Sequence, residues 1–102
     1  MSVPSHAQTT QPKVYPRHAA SVHARKVGGD TLVLHTLLKQ YHVLNHVAGR
    51  IWDLADGSVA ADEIAATLAR EFRADEAAVY ADVVDTLEAL AALRIIEMGP
   101  AP

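Results

Sequence analysis

Apolar and polar positions along the chain change period at Asn45. In Gln40–Leu44, Tyr41 and Val43 alternate with Gln40, His42 and Leu44 at the two-residue period of a strand. After Asn45, residues Val47, Ala48, Ile51, Trp52 and Leu54 recur at helical spacing. The pattern predicts a strand running directly into a helix, with Asn45 as N-cap because its side-chain oxygen can accept an orphan amide of the first turn. That helix is expected to reach about Ala55 and stop at Asp56-Gly57, where glycine suits a left-handed C′ position. Upstream, Val22–Val27 and Thr31–His35 read as two further strands joined at Gly28-Gly29-Asp30, whose glycines accept the positive φ of a tight hairpin. The connection 36–39 holds no Gly, Asn, Asp or Pro, so its turn type is not specified. Downstream, Ala61–Phe72 is a second helix with Ile64, Ala65, Leu68 and Phe72 on one face, and Asp62 and Glu63 complementing the dipole in its first turn. Asp75 caps a third and longest helix, reaching roughly to Leu93 with Val79, Val83, Leu87 and Leu90 as its stripe; the apolar tail Ile95-Ile96 closes the core. Three antiparallel strands followed by three helices is an α+β pattern close to a winged helix-turn-helix.

Composition sets the limits of that domain. All five prolines lie at Pro4, Pro12, Pro16, Pro100 and Pro102, and residues 1–20 show little apolar periodicity. They are expected to form a disordered arm, residues 21–98 the folded domain, and residues 99–102 a frayed end. About 80 ordered residues support one modest core. The chain has no cysteine, which removes disulfides, thiolate chemistry and Cys-based metal sites. No segment approaches the roughly 20 apolar residues of a membrane helix, and the N-terminus lacks a long apolar run. A cytoplasmic protein with no membrane partner is expected.

Charge divides the chain in two. Residues 1–50 carry Lys13, Arg17, Arg25, Lys26, Lys39 and Arg50 against Asp30, whereas residues 51–102 carry eleven acidic groups against Arg70, Arg73 and Arg94. A winged-helix DNA-binding protein is the alternative that this fold class raises, but 75–90 holds Asp75, Glu76, Asp82, Asp85 and Glu88 with no Lys or Arg. A recognition helix so charged is repelled by phosphates, so no nucleic-acid partner is expected. His42 and His46 have the i, i+4 spacing of a metal pair, but they straddle the strand-to-helix boundary and no acidic residue lies near them in sequence; no metal and no cofactor are assigned. The serines, at Ser2, Ser5, Ser21 and Ser58, have no nucleophile-elbow glycines around them, and no catalytic residue is assigned. What remains is the strand Gln40–Leu44. At the edge of its sheet it leaves amides that can capture another peptide chain, or its own copy in a homodimer.

Leu44-Asn45, Ile51-Trp52-Asp53-Leu54, Asp56-Gly57, Glu63-Ile64, Glu71-Phe72, Asp75, Asp82-Val83, Leu87, Leu90 and Ile95-Ile96-Glu97 resemble, in order and spacing, the PqqD-like family. Its members are recognition elements for ribosomally made, modified peptides. The resemblance implies a three-stranded, three-helix winged fold. It implies no catalysis but binding of a precursor's leader segment, presented to a partner enzyme (a radical S-adenosylmethionine enzyme, a protease or a cyclase). It is to the broad family, not to the quinone-cofactor pathway of the founding member. In the family the leader adds as a strand beside the third strand and lies against the third helix. Those elements map here onto Lys39, Gln40, Tyr41, His42, Val43 and Leu44, and onto Val79, Asp82, Val83 and Thr86. Val79, Val83 and Thr86 would form an apolar floor, with Asp82 at its border to pair with a leader Lys or Arg. Val79, Val83 and Thr86 can also be read as core, Val83 with Leu87 the more so, as can Tyr41, and Trp52 reads as a core anchor. A monomer or weak homodimer is expected. Three positions depart from the family pattern: Ala60 where Ser or Thr caps the second helix, with Ser58 as substitute; Arg94 where glycine ends the third; and 36–39, without its Asp or Gly.

Overall fold

In the computed structural model, which describes residues 13–102, the elements run β1 (Tyr15–His18), β2 (Val22–Val27), β3 (Asp30–His35), β4 (Gln40–Leu44), α1 (His46–Leu54), α2 (Ala61–Phe72), α3 (Glu76–Ala92) and β5 (Ile96–Gly99). Strands β2, β3 and β4 form an antiparallel meander with β4 at one side. Val27 faces Asp30 across the two-residue turn, where Gly28 takes φ 63°. One face of the sheet points inward through Thr31, Val33 and His35, all buried. Val33 joins Ile51, Trp52, Ile64, Leu68, Leu87 and Ile95 in one core shared by the sheet and all three helices.

The helix ends follow from their residues. Asn45 Oδ1 accepts the Ala48 amide at 2.9 Å, and Asp75 Oδ2 accepts that of Ala78 at 3.0 Å. Ser58 does not stand in for the missing cap of α2. Its hydroxyl and amide both bond to Asp56 Oδ1, which holds the Asp56 carboxyl below its ordinary range, the hydroxyl bond contributing most. Instead Glu63 reaches back to accept the Ala60 amide at 3.0 Å, the half of a capping box that needs no N-cap side chain. Gly57 has φ 91° but lies two residues past the Ala55 cap, and its amide donates to the Pro16 carbonyl at 2.8 Å. Helix α3 ends in a Schellman motif: the Ile95 amide bonds Leu90 O at 3.2 Å and the Arg94 amide bonds Ala91 O at 2.9 Å. Arg94 therefore occupies the left-handed position itself, at φ 64°.

The expected arm is structured over part of its length. Tyr15–His18 pairs antiparallel with β5, Tyr15 facing Gly99 and His18 facing Ile96; the rest of the expected arm, residues 1–12, lies outside the described residues. Gly99, expected to fray, belongs to the same ladder. His18 stacks on Trp52 at 3.7 Å between ring centroids and 7° between planes, and its Nε2 donates to the Trp52 carbonyl at 2.7 Å. Trp52 is a core residue with this imidazole as its lid. A charged chain ties the sheet to two helices. Lys26 Nζ bonds Thr31 Oγ1 and both Asp53 oxygens, Arg50 bonds Asp53, and Arg50 makes a bidentate pair with Glu71 at 2.9 and 2.8 Å. The Glu71 hydrogen bonds raise the Arg50 pKa, and those of Arg50 hold the Glu71 carboxyl below its ordinary range.

Candidate functional site

Which backbone groups β4 presents to solvent follows from the hairpin. In a two-residue hairpin the closing pair, here Val27 and Asp30, faces its hydrogen bonds inward, and the pattern repeats at every second pair. The Thr36 amide, bonded to the Ser21 carbonyl at 2.9 Å, carries the same parity to the far end of the ladder. Asp30, Leu32 and Leu34 thus bond toward β2, while Thr31, Val33 and His35 bond toward β4. Their partners there are Leu44, His42 and Gln40. Tyr41 and Val43 are left pointing N–H and C=O away from the sheet, along an edge with no neighbouring strand among the described residues. Their side chains stand on the outer face, 70% and 62% exposed, opposite Leu34 and Leu32. A second chain laid along this edge gains four main-chain hydrogen bonds from these two residues.

Just beyond the strand lies an apolar hollow. Its volume is about 200 Å³, and Val47, Ile51, Leu68, Phe72, Ala74, Val79, Asp82 and Val83 line it. Helix α1 positions it, packing on β3, β4 and α3 and carrying Val47 three residues past Leu44. Val47 and Phe72 are half-exposed apolar walls, and the Phe72 ring meets His46 edge-on at 6.2 Å. Asp82 supplies the one charged group in the lining and makes no ion pair with a described residue. Helix α3 presents Glu76, Asp82, Asp85 and Glu88, all exposed, and no basic residue.

The structure brings Val79, Asp82 and Val83 together in this hollow. Val83, at 1% exposure, belongs to the core beneath it, and Val79 is partly buried against that core. Thr86 is half-buried and does not line the hollow. On the strand, Lys39, Gln40, Tyr41 and Val43 are exposed, Leu44 is core, and His42 faces inward with its Nε2 buried and unbonded among the described residues. Tyr41 is not a core aromatic. Val47, Phe72 and Ala74 were missed as lining because helical periodicity assigns an apolar residue to a face without saying whether a neighbour covers it. Among the described residues no three His, Asp or Glu side chains gather as a metal cage.

A small α+β domain of winged-helix type, with an open strand edge beside an apolar hollow, has the form of a peptide-capturing module. The model of the family described as Coenzyme PQQ synthesis protein D (PqqD) matches residues 29–96, more than half of the chain, and the chain belongs to that family. Among solved structures it is similar to TbiB1 in complex with the TbiA(beta) leader peptide, with 27% identity and a TM-score of 0.73 over 79% of this chain and 94% of that one. No curated protein matches.

Proposed function

We propose that this chain is a noncatalytic recognition protein that binds the leader segment of a ribosomally made precursor by strand addition and presents it to a modifying enzyme. The observation that carries the reading is the β4 edge, where Tyr41 and Val43 direct four backbone groups outward beside a hollow that accepts an apolar side chain. Main-chain pairing supplies affinity with little sequence demand, and the hollow and Asp82 supply choice, favouring a leader with an apolar residue next to Lys or Arg. Membership of the PqqD family and similarity to a protein solved with a leader peptide support the same assignment. The enzyme served is a radical S-adenosylmethionine enzyme, a protease or a cyclase. The protein works as a monomer or weak homodimer in which the edge stays accessible.

An amide NMR titration with the leader half of the precursor reading frame nearest its gene tests this. Shifts confined to Gln40–Leu44, Val47 and Val79–Thr86 are expected. Shifts along Lys13–Lys26 with duplex DNA, and none at β4 with peptide, would overturn it. Self-pairing of two β4 edges would instead give a mass that rises with concentration, and would block the leader.

A further inference from the structure

At the other end of β4, two departures from the family pattern meet at one cavity. The space, about 440 Å³, is lined by Leu37 and Leu38 from the turn that opens β4, by Ala91 and Arg94 from the end of α3, and by Ile96 and Glu97 of β5, among others. Leu37 is 75% exposed, so its wall is apolar and open to solvent. Arg94 stands in this lining with φ 64°, and Lys39, next to Leu38, has φ 56°. The left-handed region favours glycine or asparagine at both places. Here both positions hold long cationic side chains, and neither makes an ion pair with a described residue. Backbone strain retained in order to keep a charge is a pointer to a ligand of opposite charge. Arg94 and Glu97 are the guanidinium and carboxylate groups of the lining, and Lys39 adds a second cation one residue past Leu38, just before β4.

We infer that this cavity receives the part of the leader that runs on past Gln40, and that this part carries an apolar residue with Asp or Glu beside it. The inference rests on the leader-peptide reading and adds a second point of choice to it. The bound peptide then has a fixed charge order: basic where it passes Asp82 and the hollow at the Leu44 end, acidic where it passes Lys39 and Arg94 at the Gln40 end. A peptide of reversed charge order meets like charge at both ends and is rejected.

A displayed library of random peptides, each about 16 residues so that it spans the strand with flanks on both sides, is panned against the wild-type chain and against the double variant Lys39→Asn/Arg94→Gly. Asn and Gly both suit positive φ, so the variant keeps the fold, and its amide spectrum verifies this. The expected result is enrichment of Asp or Glu on one flank of an apolar alternating stretch with the wild type, and loss of that preference with the variant. A Glu→Gln analogue of the best peptide should bind the wild type roughly three- to tenfold more weakly, and the variant equally well. Arg94→Lys should keep the preference. Enriched peptides that shift β4 amides but carry no acidic flank, or that the variant binds with the same preference, overturn this inference while the leader reading stands. In that case Arg94 does no more than complement the C-terminal dipole of α3. No enriched peptide at all overturns both.

Discussion

Replacing Val43 with proline isolates main-chain pairing from everything else the site offers. The Val43 amide points off the open edge, so its loss removes no bond between β3 and β4, and proline is tolerated at such an edge position. The Val43 side chain is mostly exposed, so little core packing is lost. A bound strand loses much more. It forfeits one net hydrogen bond, about 0.5–1.5 kcal/mol, and leaves its own carbonyl facing a pyrrolidine ring, a further 1–3 kcal/mol or so. The sum, about 1.5–4.5 kcal/mol, weakens affinity roughly 10- to 2,000-fold. Fluorescence anisotropy with the labelled leader peptide reads this directly, and circular dichroism confirms that the helices persist. Two controls bracket it. Val43→Thr keeps the amide and should stay within a few-fold of wild type. His42→Pro removes an amide bonded inward to β3 and should damage the sheet itself. A folded Val43→Pro protein binding the leader within threefold of wild type would refute strand addition at this edge.

Gly49→Ala should destabilise the domain although alanine is the better helix former. An added Cβ would lie 2.6 Å from Thr31 Oγ1, which is buried and held by Lys26, and the expected net cost is about 1–3 kcal/mol in urea denaturation. The loss should shrink in a Thr31→Ala background, and an additive double variant would argue against the contact. Arg94→Gly relieves a left-handed residue and should raise stability by up to about 1 kcal/mol, a Tm gain of several degrees; an unchanged or lower Tm would show that the arginine offsets its own strain. Acid should weaken the fold through Glu71 and Asp56, whose hydrogen bonds from Arg50 and Ser58 hold their folded pKa values below the ordinary 4.5 and 3.8. Carboxyls depressed on folding contribute stability that is present above those values and lost as the pH falls through the lower folded ones. Glu71→Gln should therefore flatten the decline of Tm below about pH 4.5, and an identical pH profile would exclude the Arg50 pair as its source.

Most of the fold was legible because its elements announce themselves locally. The switch from two-residue to helical spacing at Asn45, the glycine pair at Gly28-Gly29 and the cap at Asp75 each require information from only a few neighbouring residues. The β1–β5 ribbon was not legible. Tyr15-Pro16-Arg17-His18 shows no alternation and contains a proline, and its partner lies some eighty positions away. Pro16 nonetheless sits buried in the ribbon, its carbonyl bonded to Gly57. For the site, the edge strand could be found from its pattern, but which of its amides face outward depends on hairpin parity and so on tertiary register. Val79, Asp82 and Val83 could be placed on one helix face. That Val47 and Phe72 complete their hollow depends on how α1 and α2 are set against α3.

The same ribbon has a consequence for how the domain can be joined to other proteins. With Tyr15 opposite Gly99, the two ends of the folded unit emerge side by side. The domain can therefore be spliced into a loop of a host protein, or circularly permuted by a short bridge between those ends, without stretching either attachment. A catalytic partner fused at either end would hang from the same corner and sweep nearly the same volume. Where the joining linker is short and flexible, the effective concentration reaches the millimolar range, so a modest intrinsic affinity for the partner would be enough for efficient transfer of the cargo.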